Sequence, residues 1–443
     1  MRKILLVISF GFFLAGYAQE TVLPAKEQTQ EIVLYNGTIH TGNGEVVTNG
    51  VVIINKGKIT YAGPMVASDF KDAKMIDVTG KHIYPGLILP TSTLGLVEIN
   101  AVRATQDMKE IGEMNPNIRA IVAYNTDSKV INTLRSNGIL AANIVPQGDF
   151  LAGSSSVVQL DAWNWEDAAY KTDAGMHLFM PSLLPRPTSG RFGGGGGGSQ
   201  QQPQTDPVKE GLEKMERVKM FFKEAKAYLS ETVHEATNLK YESVKGLFNK
   251  SQKFYVHAST VKQMLVALDF VKEFGFDLVI VGGSESYMMA DLLKKNNVSV
   301  ILQQPHSLPT GEDDDVDQPY KTAATLQKAG VLFAISDDDG QTRGRNLSFN
   351  AGTAAAYGLT KEEALAAITL NAAKIMGVAD KTGSIEVGKD ANIVVSEGDI
   401  LDMRTSNVTH AFIQGRKIDL TDKHKLLNEK YEEKYQLKTK KGF

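Results

Sequence analysis

Three side chains that could bind a metal ion or move a proton follow apolar runs in this sequence. His257 ends the run 253–257, His306 follows the run 298–302, and Asp337 follows the run 331–335. Imidazole nitrogens and carboxylate oxygens bind zinc and related divalent cations. Two interpretations stay open: either the three form a metal site, or His257 is a hydrogen-bonded core residue and Asp337 is a cap on an acidic loop.

These residues lie in a region where strand-like and helix-like stretches alternate. The residues 261–274 carry apolar side chains at the spacing of one helix face, and similar helical patterns occupy 208–229, 286–295, 321–330 and 361–375. This alternation predicts parallel strands connected by helices, an α/β architecture. In a barrel of this kind the carboxyl ends of the strands meet at one face, where the three candidate residues are expected.

Both ends of the chain have β-type patterns instead. Short β-branched runs separated by turn residues occupy 31–40, 50–55 and 58–62 near one end, and 384–387, 391–395 and 409–413 near the other. A single β-sandwich built from both ends explains the two groups more economically than two separate β units.

The resulting domain boundaries follow from composition. We assign residues 19–84 and 384–420 to the composite β-sandwich, 85–383 to the barrel and 421–443 to a C-terminal tail, whose lysine-rich end from Lys434 is expected to be solvated and frayed. Within the barrel, six consecutive glycines and several glutamines predict a flexible loop at 187–207.

Three passages carry a recognisable pattern. They are Pro85-Gly86-Leu87-Ile88, the stretch 359–373, and the stretch 383–395, which begins Gly-Ser-Ile-Glu-Val-Gly-Lys-Asp-Ala. Together they resemble the amidohydrolase superfamily, in particular its imidazolonepropionase-like branch. The resemblance implies a distorted TIM (β/α)8 barrel flanked by a composite β-sandwich. It also implies hydrolysis of carbon–nitrogen bonds in non-peptide or cyclic amides, with zinc or another divalent metal as cofactor.

Several metal-ligand positions of that family are substituted here. The family has Asp-x-His-x-His after Pro-Gly-Leu-Ile, whereas this chain has Leu89, Thr91 and Thr93. The histidine of the sixth strand is matched by Gly282. Hydroxyl groups are poor replacements for two imidazoles toward such a metal.

Other family positions are retained. His257 matches the histidine of the fifth strand, and Asp337 matches the eighth-strand aspartate that binds the metal and takes a proton from the attacking water. His306 is the other histidine placed to reach the barrel mouth, so His257, His306 and Asp337 could form a noncanonical three-ligand site. The ligand of the fourth strand is not assigned, and we favour a barrel without metal over the noncanonical site.

Three functions remain to be distinguished. The first is a hydrolase with a noncanonical or degraded metal site, in which Asp337 is the catalytic base. The second is an inactive homologue that binds a small molecule or acts as a partner subunit of an active amidohydrolase. The third is a barrel that binds carbohydrate or peptide through Trp163, Trp165 and polar side chains at the mouth, such as Glu98, Arg119 and Glu285.

The first residues predict export. Arg2 and Lys3 precede an apolar stretch at 4–14, and Gly16 and Ala18 suit cleavage before Gln19, which makes 1–18 a signal peptide. We therefore expect a periplasmic or secreted protein, and the chain resembles an exported subgroup of the family with the same substituted metal-ligand positions. The apolar stretch is too short for a stable membrane anchor, and there is no cysteine for a lipid anchor or a disulfide. The net charge of −3 gives no indication of nucleic-acid binding.

Overall fold

The protein is described from a computed structural model covering residues 23–65, 70–184, 206–231, 233–309, 313–337 and 342–437. The predicted signal peptide 1–18 lies outside these residues, as does nearly all of the predicted loop 187–207. Among the described residues, no helix combines the length and the apolar character that crossing a membrane requires.

The two ends of the chain form one eight-stranded sheet. Its order is β16-β15-β14-β5-β1-β2-β3, and β4 pairs with β1. The strands are β1 Ile32–His40, β2 Val46–Asn55, β3 Lys58–Pro64, β4 Lys74–Asp77, β5 His82–Pro85, β14 Ile393–Ser396, β15 Val408–Ile413 and β16 Arg416–Lys417. Because β5 pairs with β14, residues from the start and end of the chain share one core, as the sequence predicted.

The second sheet forms the barrel. Its order follows the chain from β6 to β13, and β8 is antiparallel to both of its neighbours while the other pairs are parallel. The strands are β6 Leu87–Ser92, β7 Ile139–Ile144, β8 Leu151–Gln159, β9 Ala169–Phe179, β10 Lys253–Ala258, β11 Leu278–Gly282, β12 Ser299–Leu302 and β13 Phe333–Ile335. The prediction of a distorted TIM barrel with a composite sheet domain is confirmed.

Helices surround the barrel strands. The α-helices are α1 Lys129–Ser136, α2 Trp165–Ala168, α3 Pro207–Ser230, α4 Leu239–Glu242, α5 Lys245–Phe248, α6 Val261–Phe274, α7 Ala290–Lys295, α8 Gln318–Ala329, α9 Leu347–Ala356, α10 Lys361–Ala367, α11 Leu370–Met376 and α12 Lys423–Tyr435. The bounds of α6 match the prediction, because Thr260 and Gln263 form a capping box and Gly275 ends the helix with φ of 72°.

Alternation of side chains along the strands separates the barrel interior from its outer surface. Ile88, Ala141, Val279 and Ala334 point inward and pack with residues of α11, which closes the amino-terminal end of the barrel. Neighbouring residues such as Leu89 point outward and pack in a larger core with the surrounding helices. The opposite end, at the carboxyl ends of the parallel strands, is the mouth.

Two local predictions were wrong. The stretch 361–375 is not one helix but α10 and α11, separated at Thr369, whose hydroxyl donates to the Leu365 carbonyl at 2.7 Å. The stretch 384–387 is not a strand but a loop. It is held in place by the buried side chain of Ile385 and by the Ile385 backbone N–H, which donates a hydrogen bond to the Thr41 carbonyl. Within the predicted C-terminal tail, residues 423–435 form the exposed helix α12, whose first turn is capped by the Asp422 carboxylate.

A buried carboxylate connects the sandwich to the barrel. Asp161, which is 3% exposed, lies 2.6 Å from Nη1 of Arg135 on α1 and 3.1 Å from Nη1 of Arg416 on β16. The N–H of Ala25 also donates to it at 3.0 Å. One side chain therefore holds a barrel helix, the last sandwich strand and the N-terminal segment together.

We expect Asp161→Asn to destabilise the protein strongly, because the amide removes the carboxylate that directly contacts the buried guanidinium group of Arg135 and the largely buried one of Arg416. Breaking a buried ion pair on one side costs about 3–5 kcal/mol. Urea unfolding followed by circular dichroism measures the effect. The matched control is Asp149→Asn, which removes an exposed ion pair with Lys109 and should change stability little. Equal stability of the two variants would contradict the role given to Asp161.

Candidate functional site

A pair of histidines lies inside the barrel, on adjacent strands. The register of β9 and β10 sets His177 beside Tyr255 and Phe179 beside His257. The His177 Nδ1 and His257 Nε2 atoms are 3.0 Å apart and share a hydrogen bond. The Phe179 ring stacks on His257 with centroids 3.9 Å apart, and the Tyr255 ring stacks on His177 at 4.8 Å. The pair is thus packed between two aromatic rings.

Both imidazoles are neutral at ordinary pH. Burial lowers the pKa of His257 to about 3. Burial, followed by the neighbouring His257, lowers the pKa of His177 well below 6.5. The remaining nitrogen of His177, Nε2, is buried and has no hydrogen-bond partner among the described residues. It is therefore a buried polar atom that the pair itself leaves unsatisfied.

The other two candidate ligands lie against helix α9 instead. Asp337, at the end of β13, is 2% exposed and accepts a hydrogen bond from the Asn350 side-chain amide at 3.1 Å. His306 is exposed, and its Nε2 lies 3.0 Å from the Thr353 hydroxyl oxygen. Asn350 and Thr353 lie one turn apart on α9, so this helix contacts both Asp337 and His306. His257 is instead held by His177 and Phe179 of β9.

The substituted positions have new contacts of their own. The Thr91 hydroxyl shares a 2.7 Å hydrogen bond with the Ser336 hydroxyl, which joins β6 to β13 where the barrel closes. Gly282 has φ of +103°, a conformation that residues with a side chain rarely adopt. A histidine at position 282 would therefore strain the backbone, whatever space is present.

A cavity of about 100 Å³ opens at the carboxyl ends of β11, β12 and β13. The Tyr287 hydroxyl donates to the Asp314 carboxylate at 2.6 Å within this wall, and burial, followed by that bond, raises the pKa of Tyr287. Most of the polar groups around the cavity are uncharged amides and hydroxyls. They include Gln303, Gln304, Gln318, Tyr320 and Asn350.

Several polar residues that the sequence assigned to the mouth have protein partners. The Asn125 side chain donates to Glu98 at 3.0 Å, and Arg119 forms a 2.8 Å ion pair with Asp173. Glu285 accepts the N–H of Val261 at the start of α6 at 2.6 Å. These groups stabilise the loops around the barrel.

The two tryptophans lie at the other end of the barrel. Because β8 is reversed, the connection from β8 to β9, which carries Trp163 and Trp165, starts at the amino-terminal end. Trp165 packs partly against the core, whereas Trp163 is 66% exposed. The connection therefore does not place them with the histidine pair.

Residues 209–418 match the family model described as the Amidohydrolase family. The solved structure of an amidohydrolase from Thermotoga maritima superposes with a TM-score of 0.73 and 25% identity, covering 88% of this chain and 99% of that one. This segment and the shared fold support assignment of the chain to the amidohydrolase superfamily.

Curated relatives that match parts of the chain include imidazolonepropionases, which supports the imidazolonepropionase-like branch. The imidazolonepropionase of Flavobacterium johnsoniae is 38% identical over 82 residues, which are 18% of this chain and 20% of that protein. The imidazolonepropionase of Flavobacterium psychrophilum is 28% identical over 158 residues, 31% of this chain and 38% of that protein. The matches thus span between one fifth and two fifths of these relatives.

The residues present do not fit the divalent metal that the superfamily implies. Within the described part of the chain, no group of three or more His, Cys, Asp and Glu side chains is placed to hold a metal ion. His257 Nε2 is engaged with His177, and the strand-four residue paired with His257 is Phe179, which offers no ligand atom. Catalytic zinc needs three protein ligands and an open position. The structure does not bring His257, His306 and Asp337 together as such a set.

Sequence reasoning did not identify His177, and it left the strand-four position unassigned. The available signal was the run Gly175-Met176-His177-Leu178-Phe179, in which a histidine lies in an otherwise apolar stretch, as His257 does. It was missed because the pairing of β9 with β10 depends on the reversed strand β8. The cavity residues Tyr287 and Asn350 belong to no family motif that the sequence analysis used.

The histidine pair makes stability depend on pH in a defined direction. Between its unfolded pKa of 6.5 and its folded pKa of about 3, His257 binds a proton only in the unfolded chain. The free energy of unfolding should therefore fall as the pH is lowered through this window, by up to about 1.4 kcal/mol per pH unit for one proton.

The variant His257→Gln should make the fall of the unfolding free energy with decreasing pH shallower, because glutamine does not bind the proton that His257 takes up on unfolding. Urea unfolding at a series of pH values measures the slope. Above the window the curves of the parent and the variant should run parallel, which is the internal control. Equal slopes within the window would show that His257 is not held neutral.

Proposed function

We propose that this amidohydrolase-superfamily chain has lost metal-activated hydrolysis and binds a small, uncharged polar molecule at the carboxyl ends of its barrel strands. Members of the family hydrolyse carbon–nitrogen bonds, so we propose an amide-like molecule as the class of ligand. The proposal includes export to the periplasm or outside the cell, as the N-terminal residues predict. Binding by the folded barrel would then be the biological activity.

The observation that carries the loss of hydrolysis is the state of His257. A metal ligand must offer a lone pair toward an open position. The His257 Nε2 atom bonds His177 instead, and the ring is covered by Phe179. Two further family ligand positions are also lost. The Thr91 hydroxyl is hydrogen-bonded to Ser336, and Gly282 has no side chain that could bind a metal.

Binding of an uncharged molecule is supported by the groups that remain available. The buried His177 Nε2 and Asn143 Oδ1 atoms have no hydrogen-bond partner among the described residues. Leaving a buried polar atom unpaired costs about 1–3 kcal/mol, which a bound water or ligand recovers. Near the mouth, the small cavity adds the amides of Gln303 and Gln304. Amides and neutral imidazoles both donate and accept, which suits amide and hydroxyl groups.

The competing proposal is a hydrolase with an altered site. Asp337 would then be the general base, and its buried carboxylate, oriented by Asn350, is the observation in its favour. In a further version this chain is itself inactive and acts as a partner subunit of an active amidohydrolase. Both versions require metal-dependent turnover, by this chain alone or in a complex.

Metal content separates these proposals. We expect the purified mature protein, incubated with zinc or manganese and desalted, to hold well below one equivalent of metal by elemental mass spectrometry. Amidase assays with and without added metal should show the same background rate for the parent protein and for Asp337→Asn. Stoichiometric metal, together with turnover lost in Asp337→Asn, would establish the hydrolase instead.

Ligand binding is tested with a thermal-shift panel of small amides, ureas and polyols, followed by calorimetry of the hits. Gln304→Leu should weaken binding roughly three- to tenfold, the loss of about one hydrogen bond. The matched control is Gln30→Leu in the exposed N-terminal segment, which should bind as the parent does. An empty panel, or equal affinity in Gln304→Leu, would count against the cavity as the binding site.

A further inference from the structure

Three lysines and a histidine lie at the edge of the β-sandwich, on or beside strands of the sheet that is separate from the barrel. Lys417 on β16 pairs with Phe412 on β15, and His410 lies two residues before Phe412, so all three side chains share one face. Phe412 is buried in the sandwich core. His410 and the exposed Lys417 therefore lie at the margin of that core.

The other members come from the opposite half of the sandwich. Lys81, just before β5, places its Nζ 3.4 Å from the Thr409 hydroxyl, and the same hydroxyl lies 3.1 Å from His410 Nδ1. Lys74 begins β4, two residues before Ile76, which packs on the same core. We call Lys74, Lys81, Thr409, His410 and Lys417 the basic rim.

The positive charges of the rim are close enough to act on one another. Burial is the largest cause that lowers the pKa of His410, to about 4, and Lys417, Lys81 and Lys74 lower it further. Burial, followed by Lys74, lowers the pKa of Lys417. No carboxylate is among the causes of either shift.

The rim also lacks counter-charges. None of its three lysines forms an ion pair with a residue in the described ranges, although the chain as a whole carries more acidic than basic residues. Elsewhere exposed lysines do have acidic partners, as Lys58 has Asp390 and Lys223 has Glu273. Like charges repel one another, so an anion bound between them would stabilise the arrangement.

We propose that the basic rim binds a tetrahedral oxyanion, a phosphate or sulfate group. Ammonium groups from Lys74, Lys81 and Lys417 supply the charge, and the Thr409 hydroxyl supplies a neutral donor. Charge-assisted hydrogen bonds of this kind are stronger than neutral ones. The group belongs to a free ion or to the head group of an anionic lipid, and the site is independent of the function proposed for the barrel.

The test uses the full mature chain and two probes. Inorganic phosphate is titrated at low ionic strength by calorimetry, and the His410 ring is followed by NMR, where its pKa should rise as the bound anion offsets the lysine charges. Vesicles containing phosphatidylglycerol are the second probe, in a flotation assay. The variant Lys74→Gln/Lys417→Gln is compared with Lys328→Gln, an exposed lysine on helix α8.

Saturable phosphate binding that weakens roughly tenfold or more in the double variant, with the loss of two charge-assisted contacts, supports a site for a free ion. Binding to vesicles alone, lost in the same variant and kept in Lys328→Gln, assigns the oxyanion to a lipid head group. Absence of binding in both assays overturns the proposal. Equal binding by the double variant, with an unchanged melting temperature, overturns it as well.

Discussion

The geometry of the molecule depends on one buried carboxylate. Asp161 is removed from water at a cost of several kcal/mol, which only close counter-charges and hydrogen bonds offset. Arg135, Arg416 and the N–H of Ala25 supply them, each from a different part of the chain. Because Arg135 belongs to the helix that leads into β7, the sandwich is fixed directly to the strands whose carboxyl ends form the mouth.

The barrel interior handles buried polar groups in the opposite way. In the part of the chain that the structure describes, no carboxylate contributes to the pKa of His177 or His257, so the two rings stay neutral and bond each other. A neutral pair is compatible with the aromatic rings of Phe179 and Tyr255, which would be poor neighbours for a hydrated metal ion. The same superfamily fold thus holds a site whose interior is suited to hydrogen bonding without strong charge.

The sequence predicted the fold where local signals were strong. The capping box at Thr260 and the terminal Gly275 determined helix α6, and the Pro-Gly-Leu-Ile passage located β6. Strand β8 was not predicted, since its serines and glycine do not alternate with apolar residues. That strand is nonetheless buried along its whole length, because neighbours on both faces cover it.

The candidate site was less predictable for a related reason. Residue identities alone showed that Thr91 and Gly282 cannot be ligands, but not what surrounds His257. Its environment comes from strand register, which places Phe179 beside it and lets His177 reach it. Register depends on contacts distant in sequence, and a single chain contains no local signal for them.

The shared sheet has a consequence for how the chain reaches its native state. Strand β5 pairs with β1 on one side and with β14, near the end of the chain, on the other. The sandwich sheet therefore cannot be completed until nearly all of the chain is available. Contacts between such distant segments form slowly, because a long loop must close before they stabilise anything. The barrel, whose strands pair in chain order, can assemble first, and docking of the last strands then completes folding.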